Sequence, residues 1–373
     1  LEVHPPVNSE GQTIEPDLAD FEQRLDTVLG TTEAAIHWDR ALDALRTWAL
    51  WGGVDGFRLD LATTLGRRDS GFDPAAPLLA AIAADPVLST RAIIAEPWDI
   101  GPGGYQLGAF PAAWGEWNDR YRDTTRRFWR GDDGMIGQMA TRFAGSADIF
   151  APRHRPLTRG INFITAHDGF TLADLVSHER KHNEANGEDN RDGTDSSFSW
   201  NNGVEGTTTD PAILAARARD ARALLATLLL SRGTPMLSMG DESGHSQGGN
   251  NNAYAQDNET TWLDWAGMDA GLLAFTRRLI ALRRQSPCLT GARPLTGGPV
   301  DGSSVPDVRW LSPDGTAMDE RHWHDPDHRT LIAMLHADAD TALVILHAGA
   351  EAIAVSPPPA PDGHAWRVAL DTA

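Results

Sequence analysis

The sequence predicts an α/β fold built on a parallel sheet, a (β/α)8 barrel, followed by an antiparallel β-sandwich domain. Three observations lead there. Short apolar runs of strand character alternate with stretches of helical spacing. Those runs end in carboxylates, in VDGFRLDLA, RAIIAEPWD, INFITAHDG and PMLSMGDE. From about Gly291 the pattern changes to strand-like runs separated by Gly, Pro and Asp. Short buried strands alternating with helices make a parallel sheet, because each crossover needs a helix to bring the chain back. Polar groups gathered where strands end mark a barrel whose chemistry sits on its C-terminal rim.

Taken in order, residues 1–35 lack periodicity and read as an irregular segment or barrel loop. Ile36 to Trp51 places Trp38, Ala41, Leu42, Leu45 and Trp48 on one helical stripe, and Gly52-Gly53 ends it. VDGFRLDLA follows as a strand, then a helix candidate at Pro74–Ala84, then RAIIAEPWD and INFITAHDG as strands. Asp210 as N-cap and Pro211 at the first helical position open a helix running to Ser231, before Gly233. PMLSMGDE is the fourth parallel strand. VRWLSP, TLIAMLHA, TALVILHAG and WRVAL are the antiparallel strands. The expected domains are therefore a barrel segment over 36–290 and a C-terminal β-domain over 291–373, cut short at its end.

The chain has 373 residues, room for one large domain and a smaller one. It begins at Leu1. It has no 18-residue apolar run and no charged-then-apolar leader, so a soluble cytoplasmic protein is expected, with no membrane partner. Cys288 is the only cysteine, which excludes a disulfide scaffold and a Cys-based zinc site. A formal net charge of −20 repels polyanions and argues against nucleic acid. A neutral sugar suffers no such penalty. The 13 Trp could supply faces for sugar rings, although Trp is also core material.

Three acids carry the candidate chemistry: Asp60 in GFRLDLA, Glu96 in IIAEPWD and Asp168 in ITAHDGF. Glycoside hydrolysis with retention needs a carboxylate nucleophile and a carboxylic acid donor ~5–5.5 Å apart. Strands of one barrel bring such groups to one rim although they are distant in sequence. Arg58 precedes Asp60 by two residues, so strand alternation puts both side chains on one face. A guanidinium there keeps the carboxylate ionised and aimed. Trp98 follows Glu96 closely, and an aromatic wall would raise the carboxyl pKa as a general acid requires. His167-Asp168 offers a hydrogen-bonding pair for sugar hydroxyls.

GFRLDLA, AEPWD and ITAHDG resemble three motifs of the α-amylase superfamily of glycoside hydrolases. FPAAWGEWNDRYRDTTRRFWRG, HDGFTLADLVSHERKHNEANGEDNRDG, SWNNGVEG and GDESGHSQGGNNNAYAQDNETTWLDW narrow the resemblance to bacterial glycogen-debranching enzymes of the isoamylase type, over residues 36–373. The resemblance implies hydrolysis of α-1,6 branches in glycogen, limit dextrin or maltooligosaccharides, without cofactor or metal. It implies Asp60 as nucleophile, Glu96 as general acid/base and Asp168 as transition-state stabiliser. Arg58 would orient Asp60, His167 would contact sugar, and Trp98 and Tyr105 would wall subsites. The family's motif at its third barrel strand, an Asp with an Asn-His pair, has no match before Asp60. Only barrel units four to eight are therefore expected, in a chain truncated at its N-terminus. Ala255 stands where many relatives carry Cys, and His178 where Tyr is expected.

A glucanotransferase or an α-1,4-acting enzyme on the same scaffold is the alternative, as is a non-catalytic remnant. HERKH at 178–182 formally matches a zinc-protease signature, but helix-breaking residues follow it and no third ligand is evident. GEDNRDGTDSSFS fails as a calcium loop because Ser199 stands at its twelfth place. The amides of NNNAYAQDN are read equally well as substrate-facing groups or as turn chemistry.

Overall fold

The structure is a computed structural model that describes residues 33–300, 304–338, 340–360 and 365–372. Most of the expected irregular segment 1–35 lies outside the described residues. The chain divides into two compact units, residues 1–117 with 153–155, and residues 118–152 with 156–373.

The first unit opens with helix α1, Glu33–Leu50. Its Leu42 and Ala49 are buried, and its apolar stripe packs against Leu79, Ile82 and Leu88. Arg46 is buried with it and donates from Nε to Asp85 at 2.7 Å. Asp85 also accepts the N–H groups of Val87 and Leu88, each at 2.8 Å. That set of partners is what a buried charge requires. The helix ends at the two glycines, where Gly53 takes φ +65. Strand β1 is Gly56–Leu59, helix α2 Pro77–Ala84, strand β2 Ala92–Ala95 and strand β3 Gly115–Asn118. Helix α2 starts at Pro77 and not at Pro74. Asp73 accepts from the Ala75 and Ala76 N–H groups and holds a turn there, leaving Pro77 as the first helical residue. The three strands are parallel, in the order β1–β2–β3, with Arg58 opposite Ile94 and Ile94 opposite Gly115.

In the second unit, helix α3, Asp119–Arg130, is capped by the Asn118 side chain, which accepts from Tyr121 N–H at 3.0 Å. Helix α4 is Ile136–Phe143. Strand β4, Gly160–Asn162, pairs in parallel with β5, Thr234–Pro235. Helix α5, Pro211–Leu230, begins as expected: Asp210 accepts from Ala212 N–H at 2.8 Å. Asp210→Ala should therefore lower unfolding stability by about 1 kcal/mol, read from the urea midpoint at unchanged slope. Helix α6 is Ala270–Gln285. Strands β6 (Val308–Leu311), β7 (Thr330–Ala337) and β8 (Asp340–His347) form an antiparallel sheet in the order β8–β7–β6. One core joins Tyr121, Phe128, Phe143, Leu224 and Leu279 to Leu331, Leu335 and Leu346 of that sheet. Cys288 is buried in this core with its thiol 2.9 Å from Asp340 Oδ2.

Three expected strands differ. The PMLSMGDE strand shrinks to Thr234–Pro235, with Asp241 in a short helical turn beyond it. The INFITAHDG strand stops at Asn162, and WRVAL forms no strand. In that last stretch the Ala369 and Thr372 carbonyls accept from Arg278 and Arg222, so helix arginines take the groups a sheet partner would use. Among the described residues no helix is long and apolar enough to cross a membrane.

Candidate active site

In the first unit the parallel register decides what meets. Arg58, Ile94 and Gly115 stand abreast, so two residues further along Asp60, Glu96 and Trp117 stand abreast at the C-terminal ends of three neighbouring strands. The ladder carries on past the strands proper: Glu96 N–H donates to Leu59 O and Ala62 N–H to Glu96 O, both at 3.0 Å. Asp60 and Glu96 are thus held by backbone pairing, on the rim where such sheets do chemistry.

Arg58 sits one row below and reaches both acids. Its Nη1 donates to Asp60 Oδ1 at 2.5 Å, and its Nη2 forms an ion pair with Glu96 Oε2 at 2.9 Å. The second contact is charge proximity without hydrogen-bond alignment, since Nη2 has no hydrogen-bond partner. The two carboxylates differ in surroundings. The Asp60 side chain is 68% exposed and that of Glu96 is 7% exposed. Burial pushes the Glu96 carboxyl above its ordinary pKa, and the charge and hydrogen bond of Asp60 add to the rise. The Leu61 N–H, 2.8 Å from Glu96 Oε2, and the Arg58 cation pull the other way. Leu61 has φ +41, in the left-handed region that a side chain makes costly. This turn directly after Asp60 aims the Leu61 N–H at Glu96.

Trp98 is half-buried and Tyr105 is exposed, both in the segment after β2. Three residues that the sequence reading did not single out complete this rim. Trp117 lies with its ring face 4.2 Å from the Arg58 guanidinium carbon. Glu116, its neighbour on the opposite strand face, is fully buried. It accepts from Gly108 N–H, Phe110 N–H and Arg155. Arg155 is itself buried and donates from Nη2 to Trp114 O at 2.7 Å. Burial raises the Glu116 pKa against the pull of Arg155. The signal was there in GEWN, a period-two pattern, but four residues with two polar side chains do not stand out as a buried strand.

In the second unit His167 and Asp168 lie side by side, Nε2 to Oδ2 3.5 Å, with side chains 58% and 74% exposed. The expectation that Asp168 ends a strand needs correction. β4 stops at Asn162, whose Nδ2 donates to Arg232 O at 2.8 Å, and buried Phe163, Ile164 and Thr165 lead into a loop. Asp241, from PMLSMGDE, staples that loop on both sides of the pair. It accepts from the Thr165 hydroxyl, and from Leu172 N–H at 2.9 Å. Burial pushes the Asp241 pKa up to about 7. A carboxyl whose folded pKa lies above its unfolded value binds more protons when folded, so its contribution falls as pH rises between the two. Wild-type stability should therefore decline relative to Asp241→Asn between about pH 4 and about pH 7, with no further divergence above. Urea midpoints across that range measure it.

The NNNAYAQDN amides brace loops. Asn183 and Asn251 exchange hydrogen bonds at 2.9 Å, and Asn252 Nδ2 donates to Asp192 Oδ2 at 2.9 Å. In HERKH, His182 Nε2 meets Glu205 Oε1 at 3.0 Å. Among the described residues no group of three or more His, Cys, Asp or Glu is arranged to hold a metal ion.

No known family profile matches the chain. It is 52% identical over 311 residues to the glycogen debranching enzyme of Erwinia tasmaniensis, covering 83% of this chain and 46% of that protein. The chain is a relative of the bacterial glycogen-debranching enzymes. It is also 48% identical over 304 residues to the glycogen operon protein GlgX homolog of Mycobacterium tuberculosis, covering 81% of this chain and 42% of that protein. The chain thus spans about half the length of these curated relatives. Among solved structures it resembles type I pullulanase of Bacillus subtilis, complexed with maltose, at TM-score 0.58 and 19% identity over 92% of this chain and 43% of that one. Pullulanase of Paenibacillus barengoltzii, complexed with maltohexaose and α-cyclodextrin, matches at TM-score 0.58 and 21% identity over 88% and 46%. At that identity the likeness is one of fold.

Proposed function

We propose that this chain carries the catalytic centre of a retaining glycosidase that cleaves α-1,6 branch linkages in glycogen, limit dextrin or branched maltooligosaccharides. The observation that carries the reading is the pair of carboxylates abreast on adjacent strand ends, one exposed and one buried, sharing the Arg58 guanidinium. Two carboxyls that share one guanidinium and hydrogen-bond to each other leave no room between them for the water of an inverting enzyme, which favours the retaining arrangement. The names of the curated relatives supply glycogen and debranching, and the α-1,6 linkage comes from the resemblance of the motifs.

In the first step Glu96, whose carboxyl burial holds above its ordinary pKa, gives its proton to the glycosidic oxygen. Asp60, open to the site and oriented by Arg58, attacks the anomeric carbon, and the glycosidic bond breaks. In the second step Glu96, now a carboxylate, takes a proton from water as that water displaces Asp60, releasing the sugar with its configuration retained. Asp168 is assigned to bind sugar hydroxyls and stabilise the transition state, and His167 to contact the sugar. Trp98 and Tyr105 are assigned as subsite walls.

The same reading takes residues 36–290 as units four to eight of a (β/α)8 barrel and 291–373 as part of the C-terminal β-domain. It expects no metal or cofactor, and a cytoplasmic site of action. The test is release of linear maltooligosaccharide from a branched substrate, with the anomer of the first product followed by NMR. An α-anomer is expected; a β-anomer, or release from linear chains only, contradicts the reading.

A further inference from the structure

Arg58 is poorly held by hydrogen bonds for a group on which two carboxylates depend. Among the described residues only its Nη1 donates, to Asp60. Its Nε and Nη2 are out of solvent and have no hydrogen-bond partner among the described residues. An unpaired buried donor is costly unless something else meets its charge. Trp117 does so. Its ring face, where the π-system is negative, lies 4.2 Å from the guanidinium carbon. Register puts Trp117 in the same row as Asp60 and Glu96, on the third strand. It is 8% exposed, too covered to act as a platform for substrate. On the opposite face of the same strand, Glu116 is clamped by Arg155 and by two backbone N–H groups, which fixes the strand that carries the ring.

We propose that Trp117 is a positioning residue of this site: its indole face fixes the plane of the Arg58 guanidinium, so that one cation addresses Asp60 and Glu96 together. This rests on the assignment of those two acids as the reacting pair. A ring that merely filled space could be exchanged for any apolar side chain of similar bulk. A ring that orients a cation needs its π-face, so Phe can replace it and Leu cannot.

The groups facing Glu96 are Arg58, Asp60 and the Leu61 N–H. Freeing Arg58 removes a cation that favours the Glu96 carboxylate, so the Glu96 titration moves upward. The chain labelled with 13C at the Glu side-chain carboxyl reads this directly, with Glu96→Gln assigning the signal. Trp117→Leu is expected to raise the midpoint by about half a pH unit or more, and Trp117→Phe to leave it within about 0.2. In an Arg58→Ala background Trp117→Leu should add nothing. An unchanged midpoint in Trp117→Leu, or an equal shift with and without Arg58, overturns the proposal. Should Trp117→Leu fail to fold, the wild-type chain decides. The Arg58 guanidinium protons must then resonate upfield of their unstructured position because they lie over the indole ring, and an unshifted signal overturns the proposal.

Where hydrolysis is measured, Trp117→Leu should lower kcat about tenfold or more with KM little changed, and move the alkaline limb of the pH profile upward. Loss of the functional reading itself shows differently: Asp60→Asn would keep its activity, while the titrations would be unaffected.

Discussion

Asp60→Asn is expected to lower hydrolysis of branched maltooligosaccharide on the order of 10⁴-fold, because an amide cannot form the glycosyl ester that splits the reaction into two steps. Stability should change little, since the side chain is 68% exposed and its contacts with Arg58 and Glu96 lie at the solvent-open rim. Glu96→Gln should be similarly damaging on natural substrate. On a glucosyl substrate whose leaving group needs no protonation, its first step should survive, and the slow second step should leave the glycosyl enzyme to accumulate. That contrast separates the two acids by role. Burst kinetics in Glu96→Gln and none in Asp60→Asn is the expected pattern. Equal loss with both substrates in both variants would mean that the acids serve structure alone.

The second large effect belongs to the buried pair behind the site. Removing one partner of a buried ion pair leaves the other charged and dry, which costs about 3–5 kcal/mol. Arg155→Met should destabilise the first unit by that order, because Glu116 is fully buried with a raised pKa and would lose the cation paired with it. Urea unfolding, followed at a probe in residues 33–117, measures the loss. Combining it with Glu116→Leu should recover much of the stability, because no buried charge then remains. The double variant would still lack the Gly108 and Phe110 clamp. It should therefore show altered dynamics at Trp117 even where stability returns.

The placement of Asp60, Glu96 and Arg58 on neighbouring strands was legible in the sequence because period-two alternation and strand ends are local rules, and β1 and β2 obey them. The Asp210-Pro211 helix start was legible for the same reason, since a cap acts over three residues. What escaped depends on pairing across long sequence separations. Arg155 reaches Glu116 from 39 residues away, and Asp241 reaches Thr165 across 76. Neither spacing has a sequence signature. Trp117 was visible as a residue but not as a neighbour of Arg58, because nothing local says which strand lies beside which. The opposite error occurred at WRVAL, where alternation was present but the Arg278 side chain took the Ala369 carbonyl and Arg222 took that of Thr372 just beyond.

The most direct measurement is to treat the protein with a fluorinated glucosyl fluoride, which reacts in the first step and turns over slowly in the second, and to map the adduct by peptide mass spectrometry. One glucosyl group on the peptide containing Asp60, absent in Asp60→Asn, is the predicted result. An adduct on any other carboxylate would contradict the pairing of Asp60 as nucleophile with Glu96 as acid.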